Sequence, residues 1–144
     1  MENTKRLKIG AFQFAACGSI ESNLTAIKRG IARAADEHVR PLLTQECAVC
    51  GYPPIEVPSI NAIDKTRQLD AYQEISELAK KHDMYIALGM VTFSGADTCN
   101  SIRLIHPDGK DLKPYHKRAL WGWDKDNFQS GNETGIYNID GIRV

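Results

Sequence analysis

Halfway along the chain the apolar residues change their period, and this limits the folds open to it. From Glu21 onward Leu24, Ile27, Ile31 and Ala34 recur at spacings of three and four, with Lys28, Arg29, Arg33 and Asp36 between them. That is the stripe of an amphipathic helix. Ahead of it, Lys8-Ile9-Gly10-Ala11-Phe12-Gln13-Phe14 reads as a strand that runs into a Cys17-Gly18-Ser19 loop, with Ser19 as helix cap. Arg40-Pro41 ends the helix, because a residue before proline is pushed out of the helical region. Leu42-Leu43-Thr44-Gln45 then reads as a short buried strand with Glu46 at its C-terminal end. Past the rigid Gly51-Tyr52-Pro53-Pro54 loop, Asp64 caps a second helix whose stripe is Leu69, Tyr72, Ile75 and Leu78. Beyond this point the helical spacing stops. Residues 84–93, 100–106 and 111–115 are strand-like, the last two joined by the turn Pro107-Asp108-Gly109-Lys110. Asp140-Gly141 splits a final hairpin that runs to Val144. The order is βαβα followed by antiparallel strands, an α/β fold with no repeat or linker to divide it.

A length of 144 residues, 42% of them apolar, suits one globular domain. The 18 basic and 18 acidic side chains cancel, which argues against a nucleic-acid footprint, an acidic disordered tail or a polybasic membrane patch. The longest apolar runs, residues 9–18 and 85–93, are about half the ~20 residues that span a bilayer. The chain therefore reads as cytoplasmic, with neither nucleic acid nor membrane as a partner. Its four cysteines, Cys17, Cys47, Cys50 and Cys99, are too few for a disulfide framework and lack zinc-ribbon spacing. His38, His82, His106 and His116 place no pair on one helix face, so no metal site and no cofactor is expected.

Two residues stand where chemistry is plausible. Glu46 lies at a strand end against Cys47, Ala48, Val49, Cys50, Gly51 and Tyr52, surroundings that can desolvate a carboxylate and tune it as a general base. The plain alternative is a solvated loop or capping residue. Lys117, at a strand end after Tyr115-His116, can steady an oxyanion, or it belongs to a surface cluster with Lys113, His116 and Arg118. Cys47-Ala48-Val49-Cys50 has the spacing of a redox dithiol, but Gly51-Tyr52-Pro53-Pro54 opposes the helix such a pair needs. Two buried structural thiols is the favoured reading. Trp121 and Trp123 either fill a packed loop, which is favoured, or line a pocket.

Taken together these landmarks resemble the nitrilase superfamily of carbon-nitrogen hydrolases. The resemblance rests on Gln13 after the first strand, Asn23 early in the first helix, Glu46 five residues before Gly51-Tyr52-Pro53, and Asn100-Ser101 in a strand. Tyr115-His116-Lys117-Arg118-Ala119-Leu120 resembles the family's lysine motif, and Asp124, Phe128 and Gly131 resemble the segment after it. The resemblance implies an αββα sandwich, truncated here to roughly its first half, with residues 6–144 as a partial carbon-nitrogen hydrolase domain. It implies a cysteine nucleophile, with Glu46 as general base and Lys117 as oxyanion stabiliser. Asp124, one methylene shorter than the glutamate relatives often carry, would orient the lysine. The family's cysteine lies just beyond a segment like Gly141-Ile142-Arg143-Val144, where this chain ends, and none of the four cysteines matches it. The expectation is a hydrolase of small amide, carbamoyl or nitrile substrates that is inactive alone. The alternatives are a half that pairs with a separate C-terminal segment or self-associates, and a non-catalytic interaction module.

Overall fold

The computed structural model describes residues 6–144. Its elements run β1 (Gly10–Phe12), α1 (Ile20–Asp36), β2 (Pro41–Thr44), α2 (Lys65–Lys81), β3 (Tyr85–Ser94), β4 (Asp97–Ile105), β5 (Tyr115–His116), α3 (Asp124–Asn127), β6 (Asn138–Ile139) and β7 (Ile142–Arg143), with a single 3-10 turn at Ile60–Ala62. Strands β1 to β5 form one sheet in sequence order. The first three are parallel, as βαβ units require, and β3, β4 and β5 are antiparallel. The change of apolar period in the sequence is this change from crossover to hairpin connections.

Both long helices are capped as their sequences specify. Ser19 accepts a hydrogen bond from the Ser22 backbone N–H at 3.2 Å, and Asp64 accepts one from Arg67 at 2.9 Å, each satisfying a first-turn donor that would otherwise be orphaned. The helices cover one face of the sheet, where Leu24, Ile27 and Ile31 of α1 and Ala71 and Ile75 of α2 meet Ile86, Leu88 and Ile105 in the main core. The α2 stripe differs from expectation at Leu69, which is 49% exposed. Gln68 is buried in its place, its side-chain N–H donating to the Val91 carbonyl at 2.8 Å while its Oε1 has no partner, so the bond offsets only part of the penalty of burying an amide.

On the opposite face Tyr85, Ala87 and Leu104 pack with Ile139 of the terminal β6–β7 hairpin. Arg40 pins this hairpin through Asp140, donating from Nε at 2.5 Å and from Nη2 at 3.1 Å. The rest of this face carries an apolar concavity of about 340 Å³ that includes exposed Ile9, Leu43 and Ile102. The described residues thus form one helix layer on a five-stranded sheet, with the two-stranded β6–β7 sheet against its other face, and β5 is only two residues long because Pro114 interrupts the segment read as a strand over 111–115.

Candidate active site

Four chain segments converge at one end of the sheet. The first is the elbow after β2. Gly89 lies so close to the Gln45 carbonyl that a Cβ there would stand 2.0 Å from the oxygen, and this approach brings the β2 exit against β3. The chain then turns sharply, with Cys47 at φ +50°, a left-handed conformation that costs a non-glycine residue roughly 1–2 kcal/mol. The Gly51 N–H donates to the Cys47 carbonyl at 2.8 Å. Buried Asn23 of α1 ties this elbow to the β1 exit, with Nδ2 donating to the carbonyls of Cys17 at 2.7 Å and Val49 at 3.1 Å. Glu46 is left projecting, its side chain 42% exposed.

The second and third segments are β4 and β5. The Lys117 N–H donates to the Asn100 carbonyl at 2.8 Å, and the Lys117 carbonyl accepts from Gly131 at 3.0 Å, so the lysine's backbone is tied on both sides. Ser101 Oγ and His116 Nδ1, 2.7 Å apart, add a side-chain link between the same strands. The fourth segment is α3, anchored by the edge-to-face contact of Trp123 with buried Phe128, ring centroids 5.7 Å apart. Trp121, favoured as a packing residue from the sequence, is instead 82% exposed, because only its neighbour's ring turns inward.

The structure brings Glu46, Lys117 and Asp124 together. Lys117 Nζ donates to Glu46 Oε1 at 2.8 Å and to Asp124 Oδ2 at 2.7 Å. Asp124 is 1% exposed, and its other oxygen, Oδ1, accepts a hydrogen bond from the Tyr52 hydroxyl. Asn100 Nδ2 donates to Glu46 Oε1. The shorter aspartate reaches the lysine because it opens α3, which packs into the core at this point. Desolvation pulls the Lys117 ammonium down, but hydrogen bonds and charges from Asp124 and Glu46 outweigh it and hold the group well above the usual lysine range. Burial and the bond to Asp124 likewise push the Tyr52 hydroxyl above the phenol range, so it stays a donor. Sequence reasoning named Tyr52 only as part of the rigid loop whose residues can desolvate Glu46, and Asn100 only as a strand landmark.

Burial keeps the two cysteines of the elbow, Cys47 and Cys50, in the thiol form. Cys47 is buried, with Sγ donating to Asn100 Oδ1 at 3.8 Å, and desolvation, reinforced by Cys50 and Glu46, pushes its thiol far above the ordinary range. Cys50, also buried, is pushed up to about 11, chiefly by desolvation. Both are free thiols, as is Cys99, which is buried, while Cys17 is exposed. Among the described residues no group of three or more His, Cys, Asp and Glu side chains could hold a metal ion, and no helix is long and apolar enough to cross a membrane.

The carbon-nitrogen hydrolase profile matches residues 8–140, and the chain belongs to that family. The fold recurs in an amidase of the nitrilase superfamily from Nesterenkonia sp. AN1, seen as a cysteine-to-alanine variant in complex with butyramide. That variant is 24% identical, with a TM-score of 0.81 over 95% of this chain and 53% of the amidase. Another variant of the same amidase, carrying the acetamide moiety of fluoroacetamide on its active-site cysteine, matches with the same identity, coverage and score. A glutamine-dependent NAD+ synthetase from Acinetobacter baumannii is 24% identical with a TM-score of 0.83, over 96% of this chain and 27% of the synthetase. The chain spans about half the length of the amidase it matches. No curated protein matches it in sequence.

Proposed function

We propose that residues 6–144 form a single unit holding the proton-transferring and charge-stabilising part of a hydrolase of small non-peptide C–N compounds. In this reading Glu46 is the general base, Lys117 the oxyanion stabiliser and Asp124 the group that orients the lysine. The observation that carries it is one lysine held at 2.8 and 2.7 Å between an accessible carboxylate and a buried one. The buried aspartate fixes the ammonium, while the accessible glutamate can reach a substrate.

The chemistry follows from the groups. A thiol loses its proton to Glu46 as sulfur bonds to the carbonyl carbon, and the carbonyl π pair moves to oxygen, where the Lys117 N–H groups stabilise it. Collapse expels the amine, which takes the proton from Glu46. Water, deprotonated by the same carboxylate, then releases the acid and restores the thiol. In this reading the sulfur comes from outside these 144 residues, since burial holds Cys47 protonated with its Sγ on Asn100 Oδ1. The chain alone is therefore inactive, because losing a nucleophile costs on the order of 10⁴ to 10⁶ in rate. Amides are the favoured substrates among amide, carbamoyl and nitrile compounds, in line with the butyramide bound by the structurally similar amidase. The apolar sheet face around Leu43 and Ile102 suits a cysteine-bearing segment, or a second copy of the chain. Four unpaired thiols fit a cytoplasmic setting.

The test has two parts. Purified chain incubated with short amides, carbamoyl compounds and nitriles should release no ammonia above buffer. Millimolar butyramide should shift amide NMR signals centred on Glu46 and Lys117. Turnover that is lost in Glu46→Gln or Lys117→Ala would overturn the claim of inactivity, and shifts confined to another surface would overturn the site.

A further inference from the structure

The two carboxylates around Lys117 are not equivalent, and the difference lies in how many donors each oxygen receives. Asp124 has one donor on each oxygen, Tyr52 on Oδ1 and Lys117 on Oδ2. Glu46 has both of its donors, Lys117 Nζ and Asn100 Nδ2, on Oε1. Among the described residues Oε2 has no hydrogen-bond partner.

We propose that Asn100 is the positioning residue of the base: with Lys117 it occupies Oε1 of Glu46 and so leaves Oε2 as the oxygen that takes and returns the proton. This rests on the reading of Glu46 as general base and goes beyond it. The terminal torsion of a glutamate is broad and nearly two-fold, so a single lysine contact does not decide which oxygen faces the substrate. A second donor from a different direction does. Asn100 can supply it because it is buried near the middle of β4 and its own orientation is settled. An ionised carboxylate only accepts, so the amide must turn Nδ2 toward Glu46. Oδ1 then receives the Cys47 thiol at 3.8 Å. The same residue's backbone carbonyl holds the Lys117 N–H at 2.8 Å. One asparagine thus sets the base, the lysine's strand and the elbow between them. Aspartate has the same shape but would set acceptor against acceptor, and leucine has similar bulk with no donor.

Carboxyl-¹³C NMR of the glutamate-labelled chain at pH 7 tests this without any substrate. The Glu46 resonance should move in both Asn100→Leu and Asn100→Asp, in protein whose β4 amide signals remain dispersed. In the unsubstituted chain, one Asn100 carboxamide proton should lie downfield and exchange slowly with solvent. It should move upfield in Glu46→Gln and stay in place in the control Tyr52→Phe. An Asn100 carboxamide exchanging at the solvent rate in the unsubstituted chain would overturn the proposal even if both Asn100 variants fail to fold. So would a Glu46 resonance indifferent to Asn100→Leu. That result would leave the base itself untouched, because the base is judged separately by loss of turnover in Glu46→Gln once a cysteine-bearing segment is supplied.

Discussion

Removing the Lys117 charge tests the cluster most directly. In Lys117→Met the side chain keeps its length but Asp124, 1% exposed, loses its cation and retains only the Tyr52 hydroxyl. Stripping one partner from a buried ion pair costs about 3–5 kcal/mol. Lys117 is one-third exposed and Glu46 more so, and this screening reduces the expectation to about 2–4 kcal/mol. Asp124→Asn should cost less, about 1–2 kcal/mol, because Lys117 keeps Glu46 and the amide keeps a partner in Tyr52. The double variant Lys117→Met/Asp124→Asn removes both charges and should be more stable than the sum of the singles by about 1–2 kcal/mol. Urea unfolding at pH 7, followed by the fluorescence of packed Trp123, gives all four corners of the cycle. A loss of 3 kcal/mol would also lower the melting temperature by roughly 10 °C. The folded lysine titrates above its ordinary value of 10.5. Its stabilisation should therefore be fully present below pH 10.5 and fade as the pH rises through the elevated folded value. A Lys117→Met loss under about 0.5 kcal/mol, or an additive double variant, would refute the ion-pair argument.

Three other outcomes follow from named contacts. Gly89→Ala should cost more than about 3 kcal/mol, because its Cβ would meet the Gln45 carbonyl at 2.0 Å and only a backbone shift relieves it; a thermal melt matching the parent would contradict this. The hydrogen bond from Arg40 holds the Asp140 carboxyl below its ordinary 3.8. Its contribution is present above that value and disappears as the pH falls through the lower folded one. Hydrogen exchange at Ile142 and Val144 should accordingly quicken in Arg40→Ala at pH 7, and in the parent only under more acidic conditions. With a thiol-specific disulfide reagent at pH 8, exposed Cys17 should react within the first phase, and Cys47, Cys50 and Cys99 only on unfolding. Rapid modification of Cys47 or Cys50 in the folded chain would show that the elbow opens.

Element order was legible in the sequence because it is written in local signals. Ser19 and Asp64 cap helices where the sequence placed caps, but α1 ends at Asp36, with Glu37 as its C-cap and His38 at φ +55°, before Arg40-Pro41 is reached. What periodicity could not see were exceptions created by a distant partner. Gln68 takes a core position from Leu69 only because the Val91 carbonyl stands opposite. The nearness of Glu46 and Lys117 came from the resemblance and not from spacing, as 71 residues separate them. For Asp124, nothing local says how the missing methylene is made up. The four-residue helix α3, too short to leave a periodic signal, supplies that reach. Tyr52 carried a signal, a phenol in a proline-rich loop directly after the candidate base, but nothing local told that its hydroxyl faces α3.

The way Lys117 is held has an evolutionary corollary. Its main chain is fastened to Asn100 on one side and Gly131 on the other, so the ammonium is aimed by peptide groups that every amino acid possesses. The outward-facing side chains beside it, Arg118 and Lys113, are free to drift without disturbing that aim. Gly131 has no such latitude, since any Cβ there would collide with the His116 carbonyl. Around this lysine, mutational tolerance should follow the peptide scaffold, with an intolerant glycine fourteen positions downstream and permissive neighbours on the exposed side.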